Sequence, residues 1–231
     1  IDASAYLELH VEQGPVLDRE RVRIGIVQGI QGIAWWYGRF GGEANHAGTT
    51  PLEYRKDALL AASELCRGLR DLALKLGGGS VATMGRLRVV PDVVNVIPSE
   101  AYFTIDFRQY DDDLFARGKR DVEELVRGIA QRHGVPFDLE QKVDALPVRF
   151  VPFMVQLAER AARGLDLSTV FMPSGAGHDA QFMHRVCPTA MIFVPSIGGR
   201  SHCPEERTEP EDLVNGANVL LRCVLELVSA N

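Results

Sequence analysis

Six histidines occur in 231 residues, and four of them stand in settings that could do chemistry. His46 lies in Gly42-Glu43-Ala44-Asn45-His46-Ala47-Gly48-Thr49-Thr50-Pro51. A glycine-bracketed histidine between two strand-like runs is placed to present an imidazole, the side chain that changes charge nearest neutral pH. His10, in His10-Val11-Glu12-Gln13-Gly14, ends an alternating apolar segment. The C-terminal end of a strand is where α/β active sites gather their ligands; the same ring could also be a buried histidine satisfied by Glu8 or Glu12. The segment is not a zinc-protease helix, because position 14 is glycine and the second histidine one turn on is missing. His202, in Ser201-His202-Cys203-Pro204-Glu205, follows an apolar strand and Gly198-Gly199 on a loop that a sheet could present. A loop histidine is also often plainly solvated. Cys203 reads as a small apolar spacer rather than a ligand.

The fourth setting is Ser174-Gly175-Ala176-Gly177-His178-Asp179-Ala180. Gly175 and Gly177 let backbone N–H groups approach an anion closely. His178-Asp179 reads as a buried polar pair supporting that loop. Ser174 is not placed as a nucleophile, since Met172 breaks the Gly-x-Ser-x-Gly elbow. Arg108 ends an alternating strand, and its planar fork suits bidentate recognition of a carboxylate, although an arginine there is also a common surface charge. Asn95 can offer an amide to the same anion. A hydrolytic dinuclear metal centre needs carboxylates besides histidines. Glu12, Glu205 and Glu206 lie near the histidines in sequence, but their spacing assigns them no such role.

The elements that must hold these residues follow from periodicity. In Ala5–Val11, residues Leu7, Leu9 and Val11 share one face of a strand, and Tyr6, Glu8 and His10 the other. A middle region then reads strand, strand, helix, strand, strand, helix, strand: Arg23–Ile30, Ala34–Phe40, Arg55–Leu76, Ser80–Val90 with Ala101–Gln109, Asp113–His133 and Phe137–Val143. Its helices carry apolar residues at helical spacing, such as Ala58, Leu59, Ala62, Leu65, Leu69 and Leu72. An antiparallel sheet with both helices on one face is the economical packing. After Pro147 the order is helix (Pro152–Gly164), strand (Thr169–Met172), strand (Ala190–Pro195) and helix (Glu209–Ser229). The two strands are uniformly apolar, as central strands of a helix-covered sheet should be. The expectation is an α/β layer built from residues 1–26 and 146–231 and interrupted by an inserted α+β domain, 27–145. Gly77-Gly78-Gly79 reads as a helix-ending turn.

Composition narrows the function classes. Hydrophobic residues make up 46% and charged ones 24% of the chain, an ordinary globular balance. A net charge of −6 without a basic block argues against nucleic acid and against a polybasic membrane patch. The apolar runs are too short to span a bilayer. The four cysteines are widely spaced with no Cys-x-x-Cys pair, which fits reduced thiols in a cytoplasm.

Taken in order, the five motifs (residues 10–14, 42–51, 95–98, 174–180 and 201–205) resemble those of the metal-dependent amidohydrolases that cleave N-carbamoyl-L-amino acids, ureidopropionate or allantoate, within the dinuclear aminopeptidase and acylase superfamily. The resemblance runs from about residue 5 to the C-terminus. It implies a zinc-aminopeptidase-like helix-covered sheet with an inserted ferredoxin-like dimerisation domain, two divalent ions of the manganese or zinc type, and a cytoplasmic homodimer acting on a small ureido or N-carbamoyl acid. It implies His10 and His202 as ligands of one metal each, His46 as the group that stabilises the oxyanion, often in the partner's site, and Gln13, Asn95, Arg108, Gly175 and Gly177 as substrate contacts. It also implies that the bridging aspartate, further ligands and the general-base glutamate lie in an upstream segment that this sequence lacks, so that the chain alone is inactive. An aminopeptidase or N-acyl amino acid deacylase of the same superfamily, and a non-catalytic dimerisation or ligand-binding remnant, are the alternatives.

Overall fold

The computed structural model describes residues 3–229; residues 1–2 and 230–231, the ends of the expected outer segments, lie outside it. The chain divides into two compact units, one formed up to Gln31 and from Val148 onward, the other by Gly32–Pro147.

The first unit opens with β1 (Tyr6–Val11), whose Leu7, Leu9 and Val11 pack against a buried apolar core as the alternation predicts. A short helix, α1 (Val16–Glu20), ends at Arg21 in the left-handed region (φ 56°). β2 (Ile24–Ile30) follows. It was expected to begin the inserted domain, with the boundary near residue 26, but it lies wholly in the first unit. Ile24, Ile26, Val27 and Ile30 have no exposed surface. A strand apolar on both faces belongs inside a sheet covered on both sides rather than in a half-solvated antiparallel one.

The second unit then runs β3 (Gly32–Gly41), β4 (Asn45–His46), a 3-10 turn at Leu52–Tyr54, α2 (Ala58–Leu76), β5 (Val81–Val90), β6 (Val96–Ile97), β7 (Glu100–Gln109), α3 (Asp112–His133) and β8 (Phe137–Ala145). Its four long strands form an antiparallel sheet in the order β5-β7-β3-β8, which with its two crossing helices is the ferredoxin-like β-α-β-β-α-β pattern. Ala101, Phe103, Ile105 and Phe107 of β7 alternate into one core with Ala61, Leu65 and Leu69 of α2 and Val122 and Val126 of α3, so both helices cover one face, as expected. The helix starts are fixed locally: Asp57 accepts the N–H groups of Leu59 and Leu60 at 2.9 and 3.0 Å, and Asp111 that of Leu114 at 2.9 Å, which satisfies donors that the first turn leaves open.

The chain returns to the first unit through β9 (Val148–Arg149), α4 (Pro152–Arg163), β10 (Thr169–Ser174), α5 (Ala180–Met183), β11 (Thr189–Val194), a 3-10 turn at Ile197–Gly199 and α6 (Pro210–Ser229). The sheet order is β1-β11-β2-β10, with β9 also on β2. β1 runs parallel to β11 and β10 parallel to β2, whereas β2 is antiparallel to β11 and β9. Residues of α4 and α6 share the core of this sheet. Gly216 of α6 permits a close approach: a Cβ there would stand 2.6 Å from Val194 and 2.7 Å from Leu9 side-chain atoms. The second unit is entered and left through paired residues, Ile30 opposite Val148 in the first unit and Ile33 opposite Ala145 in the second.

Candidate active site

Parallel pairing carries β1 and β11 to a common C-terminal edge, with Val11 opposite Val194. His10 stands one residue short of that edge. Its Nδ1 lies 2.8 Å from the Val11 carbonyl, and because a carbonyl only accepts, Nδ1 carries the proton and Nε2 is left with its lone pair. Neither Glu8 nor Glu12 satisfies the ring. Glu12 turns away and is buried, accepting the N–H groups of Val16 (2.8 Å) and Leu17 (2.7 Å) at the start of α1.

Gln13 and His202 come together across this edge. Both are non-glycine residues in the left-handed region, with φ of 58° and 57°, a conformation whose cost must be met by surrounding contacts. Those contacts are present. Gln13 donates its backbone N–H to Ser196 Oγ (3.0 Å) and its amide to Ser201 Oγ (3.2 Å), and its Nε2 lies 3.5 Å from His202 Nε2. Glu206 closes the loop, accepting from Ser201 Oγ (3.1 Å) and from the His202 N–H (2.9 Å). No motif marks Ser196, and Glu206 is signalled only by its place four residues after His202.

The loop after β10 also differs from expectation. His178 is buried, but its partners are Ser174, whose Oγ is 2.8 Å from Nε2, and Glu8, whose Oε1 is 3.5 Å from Nδ1; Asp179 is exposed. Asp179 points to solvent because its neighbour Ala180 is the residue pinned inward, donating its N–H to Glu8 Oε2 at 2.9 Å. Burial, reinforced by the adjacent His10, pushes the His178 imidazole down to about 4, so it is neutral near neutral pH. Tyr6, which donates to Glu8 Oε2, is pushed up to about 12 by burial and by that carboxylate. Carboxylate, imidazole and hydroxyl follow in the order of an acyl-transfer triad. Ser174 nevertheless has no exposed surface and no elbow, so a substrate carbon cannot reach its oxygen. Gly175 and Gly177 are exposed, while the intervening Ala176 N–H is used by Ser174 Oγ at 3.1 Å.

In the second unit, β4 and β6 form a two-stranded ribbon, with His46 opposite Val96, and the Asn95 carbonyl accepts the Ala47 N–H at 2.9 Å. The ribbon thus brings the exposed His46 and Asn95 together from distant sequence positions. The loop 46–50 is pinned by Thr50 Oγ1 on the His46 carbonyl (2.8 Å) and by Arg55 on the carbonyls of Thr50 (3.0 Å) and Ala47 (2.6 Å). His46 Nδ1 accepts the N–H groups of Gly48 (3.0 Å) and Thr49 (3.2 Å). Its proton in the neutral ring therefore sits on Nε2, which becomes a hydrogen-bond donor. Arg108 lies on β7, where Nε and Nη2 grip Asp106 at 2.9 and 2.7 Å. Its fork thus holds a carboxylate of the chain itself.

Among the described residues, no group of three or more His, Cys, Asp and Glu side chains is placed to hold a metal ion. His10 and His202 offer imidazoles, but the described residues do not make a complete metal centre. No helix among them is long and apolar enough to cross a membrane. All four cysteines are free thiols.

Comparison with known proteins agrees with the motif resemblance. The model of Peptidase family M20/M25/M40 matches residues 1–226. The chain is 38% identical over 226 residues to an N-carbamoyl-L-amino-acid amidohydrolase of Paenarthrobacter aurescens, covering 98% of this chain and 55% of that protein. It is 38% identical over 230 residues to the allantoate amidohydrolase of Escherichia coli K12, covering 98% of this chain and 55% of that protein. An amidase of the hydantoinase/carbamoylase family from Burkholderia multivorans superposes with a TM-score of 0.93 at 41% identity, over 96% of this chain and 54% of that one. The chain spans about half the length of the curated relatives it matches. With a family model covering nearly its whole length and close relatives that are named amidohydrolases, the chain belongs to the peptidase family M20/M25/M40.

Proposed function

We propose that this chain is part of a hydrolase that cleaves the linear C–N amide bond of N-carbamoyl-L-amino acids or related ureido acids such as allantoate and ureidopropionate. The observation that carries the chemistry is the His46 tautomer: two backbone N–H groups hold Nδ1 as an acceptor, so Nε2–H faces outward as a donor for a developing oxyanion. The substrate class is supported by the relatives, an N-carbamoyl-L-amino-acid amidohydrolase and an allantoate amidohydrolase.

In this reading Asn95 and Arg108 bind the substrate carboxylate, with Arg108 sharing or exchanging its hold on Asp106, and Gln13, Gly175 and Gly177 line the remainder of the substrate. Enzymes of this family are generally metal-dependent. His10 and His202 are proposed as ligands to two divalent ions of the manganese or zinc type, which would supply an activated water. Two imidazoles fall short of a hydrolytic centre, so the chain alone is expected not to turn over. The exposed edges of the second unit's sheet, β5 and β8, support a homodimer formed through that unit. The free thiols support a cytoplasmic setting.

The test is ammonia release by the whole protein from N-carbamoyl, N-acetyl and dipeptide substrates, with N-carbamoyl carboxamides as controls. His46→Ala should lower kcat by about 10²–10³-fold, the effect of losing one oxyanion donor. Arg108→Lys should chiefly raise KM, because a point charge replaces a bidentate fork. Preference for dipeptides with a free amino terminus would move the protein to the aminopeptidases. Indifference to the substrate carboxylate would leave Arg108 as a structural partner of Asp106.

A further inference from the structure

His178 is the only histidine in the buried class among the described residues, and it does nothing in the function proposed above. Its ring lies 4.7 Å from that of His10, edge-on at 68°, and 5.7 Å from that of Phe193. His10 and Phe193 are direct partners in the β1–β11 register, so one imidazole caps a cross-strand pair. Its Nε2 is anchored by Ser174 Oγ at 2.8 Å, and its Nδ1 faces Glu8 Oε1 at the longer distance of 3.5 Å. Glu8 shares the His10 face of β1 and also accepts the Ala180 N–H at 2.9 Å, which stitches the 174–180 loop onto that face.

Ser174 Oγ accepts the Ala176 N–H at 3.1 Å, and it lies 2.9 Å from the Ala176 carbonyl and 2.8 Å from His178 Nε2, so the hydroxyl is fixed by the turn of its own loop and holds the ring through Nε2.

We infer that His178 is a positioning residue for His10, a wedge anchored by Ser174 and Glu8 that fixes which way the His10 ring faces. The one hydrogen bond found on His10 itself is Nδ1–H to the neighbouring Val11 carbonyl at 2.8 Å. The terminal torsion of histidine is broad and roughly two-fold, and a half-turn exchanges a nitrogen for a carbon at each ring position. A ring packed edge-on beside it opposes that turn and keeps the Nε2 lone pair facing outward. The inference deepens the proposed function, which uses that lone pair, but its test needs neither metal nor turnover.

The test is a long-range ¹H–¹⁵N spectrum of the labelled chain, which reads the proton ratio between Nδ1 and Nε2 of each histidine. In the unaltered chain His10 should show a single Nδ1-protonated form. In His178→Ala the Nδ1-to-Nε2 ratio at His10 should fall by about tenfold, the factor carried by one hydrogen bond of ordinary net strength. Ser174→Ala, which removes one anchor only, should give a smaller fall in the same direction. His178→Phe, which keeps a flat ring between His10 and Phe193, should restore the His10 ratio without restoring thermal stability, since Ser174 and Glu8 lose their partner. An unchanged His10 pattern in folded His178→Ala overturns the inference. If His178→Ala fails to fold, an unchanged pattern in Ser174→Ala overturns it instead. Absent hydrolysis by the whole protein with the His10 ratio intact would count against the proposed function and leave the positioning role standing.

Discussion

Glu12→Ala isolates the residue that sits between two proposed site residues yet points away from both. Its carboxylate is 8% exposed and accepts two N–H groups at the start of α1, those of Val16 and Leu17, at 2.8 and 2.7 Å. A short helix has no internal partner for these donors. Val16 is 37% exposed, so its N–H can turn to water; Leu17 is fully buried, so its N–H is stranded. A hydrogen bond to a charged group contributes about 1.5–3 kcal/mol. One full and one partial loss, offset by release of a buried carboxylate, leave a net cost of ~2–3 kcal/mol. For a unit of this size that is a fall of about 8–15 °C in the melting midpoint. The assay is thermal unfolding of the chain followed by far-ultraviolet circular dichroism, because Trp35 and Trp36, the only tryptophans, lie in the second unit and fluorescence does not report on the first. Gly14→Ala is an independent arm: its Cβ would stand 2.7 Å from Glu12 Oε1, displacing the same carboxylate and lowering the midpoint in the same direction. If Glu12→Ala stays within ~0.5 kcal/mol of the parent, the range of a neutral surface change, Glu12 is no cap and becomes available as a ligand.

Three further outcomes follow from the packing and the charges. Gly118→Ala would normally strengthen a helix, but its Cβ would collide with the Phe107 ring, so the variant should lose ~1–3 kcal/mol; a raised midpoint in tryptophan fluorescence would contradict this. Cys66 is exposed and should react with a thiol reagent at once, whereas burial pushes the Cys223 thiol up to about 11 and Cys187 is buried; rapid modification of Cys223 in the folded chain would refute that ordering. Hydrogen bonds from His133 and then Arg132 hold the Glu64 carboxyl below the usual carboxylate range. A lowered folded value means stabilisation that is present above the unfolded pKa and lost as pH falls through the folded one. Since the Glu64 side chain is 40% exposed, solvent screening limits this to at most ~1 kcal/mol. Glu64→Gln should therefore lower stability slightly at pH 7 and leave it unchanged at the acid end of the titration.

Much of the architecture was legible because it rests on local periodicity. The alternation of Leu7, Leu9 and Val11 located β1 and its buried face, and the spacing of Ala58, Ala62, Leu65 and Leu69 located α2 to within a turn. β2 was assigned to the wrong unit because its apolar run has no alternation from which to read a sheet. β4, β6 and β9 have two residues each, too few for any period. The site was legible only as residue types. That His46 presents Nε2–H depends on backbone donors two and three residues ahead, a detail of loop geometry. The approach of Glu8 to His178 could not be found from sequence, since Glu8 lies in the first strand and no pattern links the two positions.

The paired residues at which the chain leaves and re-enters the first unit have a consequence for its history. Ile30 already faces Val148, and Ile33 faces Ala145, so everything between them hangs from one closed hairpin stem. To that stem the intervening segment is simply a loop, and loop-closure entropy grows only as the logarithm of loop length, about 0.6 kcal/mol per doubling. A gene could therefore acquire, lose or exchange the whole α+β cassette at little thermodynamic penalty to the host sheet. Joining Gln31 to Val148 through a short turn should leave β2 and β9 paired, and the excised segment has termini close enough to join.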